Sequence, residues 1–446
     1  MKKTPLLLLI IPLTLTFGCN QKTYEDHVKN VNCNIKSFVS NNEDTHQNGY
    51  DVSFVYKDSC FALDATRINK DLVLLSYGAS MSAVYEKNMI SFYNALEFDD
   101  IESHYVVTSG SHTISYSFAH KEIWERHVIA VNVRGFEYEN EWIDNFDMGL
   151  TGNHHGFEQS ALQIYSNLKT YFNKYNNPKL WLTGYSRAGA VINVLSHQIL
   201  SKKEININKK DMYVYTFEAP KGLAIENKIP YENVFNFINS RDLLVYAAPE
   251  EQYGLCRCGI DVDFYNENYK TLISDFDIDI VLKDFIPDSV DYPTEEDFYK
   301  YAIDQLTRQA EHGSIHTREE FCNNLFPIIE TGLNVYYSLS EEQIDELVKD
   351  VKDQYKEQGY MMIINLLMVE GSLYDFLTPY LDRIGYQYEE QVLRPQVEFL
   401  RQFAVAHIGV IGSFLLSESS LGNNLLRGGF MHAPDVNYPL IKEYAK

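Results

Sequence analysis

Basic side chains are in short supply. The 446-residue chain has 38 Lys and Arg against 62 Asp and Glu, a formal net charge of −24 at pH 7, and its cations gather in no stripe. Such a surface repels a polyanion, which excludes nucleic acid as a partner. Cysteine is scarce too, at six residues. Cys256-Arg-Cys258 has no second pair at ligand spacing, so it is a poor zinc site, and no metal is expected. The apolar stretch near the start, Pro5 to Phe17, is too short to span a bilayer. No internal repeat and no disordered bias are visible. Apolar residues at 45% and charged ones at 22% describe a globular chain with material for a large core.

What is there begins with an export signal. Lys2 and Lys3 precede the Pro5–Phe17 run, and Gly18 stands just before Cys19. Positive charge, apolar run and small residue in that order mark residues 1–18 as a signal segment. The segment resembles a bacterial lipoprotein signal, which implies a lipid on Cys19 and attachment to a membrane surface. Thr16 and Phe17 depart from that pattern, and plain secretion is the other reading. Both place the mature protein outside the cytoplasm. Export permits disulfides, and Cys33 with Cys60, or Cys256 or Cys258 with Cys322, are the candidate pairs. Residues 19–50, polar and Asn-rich, read as a tether.

From Asp51 onward strands and helices alternate. Asp51 to Tyr56 reads as a strand, and Leu72, Leu75, Ala79 and Ala83 mark one side of a helix. Further short apolar strands are expected at Arg126–Arg134, Leu180–Thr183, Asp211–Phe217 and Val234–Asn239, with a helix over Gly156–Phe172. This order implies an α/β core over residues 51–289, with a largely parallel sheet covered on both faces. After residue 290 strand signals fade. Thr317-x-x-Glu320 has the form of a capping box, and Ile344, Leu347, Val348 and Val351 stripe a charged helix. Residues 290–425 therefore read as a helical lobe spliced into the core, a candidate lid, with 426–446 as the returning segment.

One stretch organises the chemistry. Leu180 to Thr183 is a buried strand, Arg187 onward is an amphipathic helix, and Gly184-Tyr185-Ser186-Arg187-Ala188 joins them. A serine on so tight a turn projects above the sheet edge, with the positive end of a helix behind it. Such a nucleophile needs a base and an acid to orient the base, in the chain order serine, acid, histidine. That order removes every histidine up to His197. Asp242 follows a buried strand and is the candidate acid. His432, in Gly428-Gly-Phe-Met-His-Ala-Pro-Asp435, is the candidate base; His407 reads as a core histidine, and His312 and His316 as solvated. A metal hydrolase on His154, His155 and Glu158 is disfavoured, because adjacent histidines rarely face one centre.

With these motifs in order, the chain resembles the class 3 lipase family of α/β hydrolases. The family's Arg-Gly-Thr strand is similar to Val128–Phe136 with Glu141-Trp142 after it, and its His-Gly-Phe to His155-Gly156-Phe157. Its elbow is similar to Gly184–Gly189, its Thr-Phe-Gly-Ala-Pro-Arg to Thr216–Lys221, and its acid loop to Asn239–Pro249. The resemblance implies an α/β-hydrolase fold and cleavage of carboxylic esters without a cofactor. It also implies a Ser186–His432–Asp242 triad, with an oxyanion hole made by the backbone N–H groups of Phe136 and Arg187. A lipid or other acyl ester would be the substrate. Phe136 replaces a Ser or Thr, Ala188 replaces a glycine, and the 190 residues between Asp242 and His432 far exceed the family's spacing. A phospholipase or acyltransferase with the same triad, or a surface binding protein on a decayed hydrolase scaffold, are the alternatives.

Overall fold

The computed structural model describes residues 25–38, 44, 48–106, 113–136, 141–242, 244–246, 248, 250–275, 317–406 and 431–446. The signal segment, Cys19, His112, His312, His316 and His407 lie outside them.

The core strands are β1 (Val28–Ile35), β2 (Tyr50–Lys57), β3 (Asp99–His104), β4 (Tyr116–Ile123), β5 (Arg126–Val133), β6 (Lys179–Tyr185), β7 (Met212–Phe217), β8 (Leu223–Ala224), β9 (Val234–Ile238), β10 (Leu255–Cys256) and β11 (Ile260–Asp263). Seven of them form one sheet in the order β11-β9-β7-β6-β5-β4-β3. From β11 to β5 every neighbouring pair is parallel; β4 runs against both β5 and β3. Successive residues of β6 and β7 point to opposite faces, and both faces are apolar. Trp181, Tyr213, Tyr215 and Phe217 pack on one side, and Leu180, Leu182, Met212 and Val214 on the other.

The core helices are α1 (Lys70–Ser82), α2 (Glu86–Ala95), α3 (His155–Phe172) and α4 (Arg187–Lys202), with a short α5 (Tyr269–Asp275). Helices α3 and α4 cover the Leu180 face. The Trp181 face lies under α1, α2, the β1–β2 ribbon and the C-terminal helix Pro434–Tyr444. Asn69 caps α1, its side chain accepting from the backbone N–H groups of Asp71 and Leu72.

The tether expected over residues 19–50 is corrected in part. Val28–Ile35 pairs along its whole length with Tyr50–Lys57 and buries Val31, Cys33 and Ile35. Asn30, Asn32 and Asn34, which alternate with them, lie on the outer face. The expected disulfides do not form: Cys33, Cys60, Cys256, Cys258 and Cys322 are free thiols. Three of the sulfurs sit against separate carbonyls, Cys256 on Ala224, Cys258 on Asn193 and Cys322 on Gly149.

The helical lobe is built of α6 (Phe326–Ser338), α7 (Glu341–Gln358), α8 (Tyr360–Met368), α9 (Ser372–Arg383) and α10 (Glu390–Ala406), followed after residue 430 by α11 (Pro434–Tyr444). The capping box at Thr317 and Glu320 forms at its entry. Phe321, Leu325, Ile328, Tyr374, Leu393 and Val397 make its own small core, which closes on Met148 and Leu255 of the sheet domain. Arg318 fastens the two together, donating to the backbone carbonyls of Met148, Gly149 (2.5 Å), Gly152 (2.8 Å) and Asn153 (2.9 Å). Among the described residues no helix is long and apolar enough to cross a membrane.

Candidate active site

The strand β6 ends at Tyr185 and α4 begins at Arg187, so Ser186 alone makes the turn between them, at φ 55° and ψ −126°. A non-glycine residue held there stores roughly 1–3 kcal/mol of strain. The turn closes only because its flanks are small. A Cβ on Gly184 would come 2.7 Å from the carbonyl carbon of Ala188, and one on Gly189 would come 2.9 Å from the Ala219 side chain. The Ser186 N–H donates to the Phe217 carbonyl at 2.8 Å, tying the turn to β7.

Asp242 follows β9 and His432 precedes α11, and the histidine ring joins the aspartate to the serine. His432 Nε2 lies 2.7 Å from Ser186 Oγ, and Nδ1 lies 2.5 Å from Asp242 Oδ2. An ionised carboxylate only accepts, so Nδ1 carries the proton and Nε2 of the neutral ring accepts from the hydroxyl. Asp242 is fully buried, and its Oδ1 accepts from the Leu244 N–H at 2.9 Å. The histidine loop is held from several sides. The Tyr185 hydroxyl donates to the His432 carbonyl (2.7 Å), and that of Tyr77 to the Pro434 carbonyl (2.6 Å). Asn437 donates to Tyr185 Oη and to the Met431 carbonyl, and accepts from Asn239. Ser37, at the end of the N-terminal ribbon, donates to Asp435.

Behind the elbow, the Arg187 side chain turns into the protein, where it is 1% exposed. It pairs with Glu141 (2.6 Å) and Asp144 (3.1 Å), and Arg134 holds the same Glu141 at 2.9 Å. This network fastens the segment around residue 141 to the elbow helix. Gly135 completes the contact: a Cβ there would fall 1.9 Å from the Tyr185 carbonyl oxygen, so the Gly135–Phe136 backbone runs directly against the end of β6. The Phe136 ring packs edge-on against Phe38 at 5.3 Å. Replacing Arg187 by Met would take away the guanidinium that buried Asp144 faces and leave buried Glu141 to Arg134 alone. An expected loss of about 3–5 kcal/mol in unfolding free energy follows, measurable by urea denaturation. A loss under about 1 kcal/mol would mean the network carries no stability.

The histidines weighed for a metal part company. His154 is buried against Phe157 (3.8 Å between rings), and burial pushes its pKa down to about 3. His155 turns outward to Asp147 at 2.6 Å, while Glu158 accepts from Asn153. Among the described residues, the grouping with metal-ligand proximity is Glu218, Asp242 and His432. The 2.5 Å contact between Asp242 and His432 is shorter than the roughly 3.3 Å that separates two ligands of a tetrahedral zinc, so these atoms are hydrogen-bonded partners. Glu218 is a residue that sequence reasoning passes over. Its signal was a carboxylate standing where the resembling Thr-Phe-Gly motif has glycine.

Residues 130–251, which hold the serine, the aspartate and the Arg187 network, match the family model described as lipase (class 3). Over that stretch the chain is similar to the class 3 lipases. It has the α/β-hydrolase fold, with a helical insertion, and the chain is a lipase-type carboxylic ester hydrolase. Solved lipases are similar to it at low identity. A fungal lipase in an inhibitor complex is 17% identical over 44% of this chain and 80% of its own, with a TM-score of 0.35. Rhizomucor miehei lipase in its propeptide complex is 18% identical over 45% and 71%, with a TM-score of 0.34. Lipase II from Rhizopus niveus is 14% identical over 44% and 81%, with a TM-score of 0.32. No curated protein matches the chain.

Proposed function

We propose that this lipase core cleaves acyl esters of lipids through Ser186, His432 and Asp242, by way of an acyl-enzyme, outside the cytoplasm. The observation that carries the reading is the unbroken hydrogen-bond line from Ser186 Oγ through the His432 ring to Asp242, at 2.7 and 2.5 Å. Ser186 attacks the ester carbonyl while His432 Nε2 takes its proton, and Asp242 holds the ring in the required tautomer. The N–H groups of Arg187 and Phe136 are the donors to the oxyanion, and losing one costs about 10²–10³ in turnover. His432 then protonates the departing alcohol, and water admitted to the same ring hydrolyses the acyl-enzyme.

The helical lobe, joined to the core between Asp242 and His432, acts in this reading as a lid that admits substrate. Residues 1–18 direct export, and a lipid on Cys19 keeps the enzyme at a membrane surface. The test is covalent. A fluorophosphonate probe is expected to label the purified protein once, with the modified peptide containing Ser186, and to stop hydrolysis of p-nitrophenyl butyrate. No label, or a label elsewhere with activity intact, would overturn the assignment.

A further inference from the structure

Glu218 directly follows β7, beside the nucleophile strand, and its backbone lies at φ 49°, where side chains are rarely tolerated. It is fully buried, and among the described residues no lysine or arginine forms an ion pair with it. The Asn239 N–H, at the end of the neighbouring β9, donates to its two oxygens at 3.0 and 3.2 Å. From there its carboxyl group reaches Asp242. One carboxyl oxygen of Glu218, one of Asp242 and a ring nitrogen of His432 all lie within 4.8 Å of one another. We propose that Glu218 is a positioning residue of the site: as a neutral acid it donates a hydrogen bond to Asp242 and holds that carboxylate against His432.

A hydrogen bond between two carboxyl groups requires a proton on one of them. The surroundings decide which. Asp242 already accepts two N–H donors, from His432 and Leu244, so its negative charge is the better stabilised. Among the described residues, the N–H that Glu218 accepts from is that of Asn239. Burial pushes its carboxyl well above the ordinary range, and the charge on Asp242 adds to that. The other groups that face it are occupied. Arg257 is committed to Asp261 and to the carbonyls of Ala219 and Val245, and the Tyr77 and Tyr185 hydroxyls donate to backbone carbonyls. The line therefore has four members, with the carboxyl pair carrying one negative charge between them. The strained backbone is consistent with this use, since a glycine would sit there more comfortably but bring no donor.

The inference rests on the triad reading, and the experiment separates the two. Glu218→Gly and Glu218→Gln are made in the full-length protein, and fluorophosphonate labelling of Ser186 is run alongside; unlabelled wild-type enzyme would indict the triad, not Glu218. Glycine suits the backbone and removes the donor. Its kcat on p-nitrophenyl butyrate is expected to fall about tenfold with KM unchanged, the worth of one hydrogen bond to a charged group. The acid limb of kcat/KM is expected to move to higher pH, because Asp242, relieved of the donor, holds the proton on His432 more tightly. Glutamine is neutral and keeps an N–H donor, so it should recover most of the loss and return the limb toward its original position. If Glu218→Gly changed neither kcat nor the acid limb, the residue would take no part. If Glu218→Gln moved the limb to lower pH, Glu218 would be ionised in the native enzyme, and the proposal would be wrong.

Discussion

Ser186→Ala protein hydrolyses short p-nitrophenyl esters about 10⁶-fold more slowly in kcat than the native enzyme, if Ser186 is the nucleophile. The size of the effect comes from what the substitution leaves behind. Alanine keeps the Cβ and the positive φ of the elbow, so the turn, its 2.8 Å bond to Phe217 and the packing of Gly184 and Gly189 persist. His432 still meets Asp242, but its Nε2 has lost its hydroxyl partner. Binding and the oxyanion donors survive, and in a comparable triad these alone retain about 10³–10⁴ over the uncatalysed rate. Circular dichroism and the unfolding midpoint are therefore expected to match those of the native protein while turnover collapses. A fall of less than about tenfold would show that another group attacks the ester.

How much of this was legible beforehand depends on which physical constraint wrote each residue. The central strands were readable because they are buried on both faces and so become continuous apolar runs, as in Met212–Phe217. The edge strand Asp99–His104 was not: no residue in it is buried, and charges interrupt it. Val28–Ile35 was hidden among asparagines, although its alternation of Val31, Cys33 and Ile35 was the correct signal. The serine, aspartate and histidine could be singled out because the chemistry restricts both residue type and chain order. Glu218 could not be found that way. A carboxyl group becomes a donor only through burial and a charged neighbour, and both are products of the tertiary structure. The same holds for Arg187, whose side chain has its meaning from Glu141 and Asp144, over forty residues away.

Replacing Asp242 by Asn tests the other end of the line, and the expected loss in kcat is about 10⁴. An amide is nearly the same shape as a carboxylate, so packing around position 242 barely changes. Its two ends differ, however, and the site decides which way it turns. Oδ1 of Asp242 accepts from the Leu244 N–H, and a backbone donor there cannot face an NH₂ group. The introduced carbonyl must therefore take that place, and the NH₂ must face Nδ1 of His432. A ring that accepts at Nδ1 carries its proton on Nε2, where it points at the serine instead of receiving from it. The variant would thus fold, bind substrate with little change in KM, and fail at proton transfer. At high pH, hydroxide can remove the serine proton in place of the ring. The deficit is then expected to shrink as pH rises, and kcat measured from neutral to alkaline pH reads it directly. A deficit that stayed below about tenfold at neutral pH would mean that Asp242 does not set the tautomer of His432.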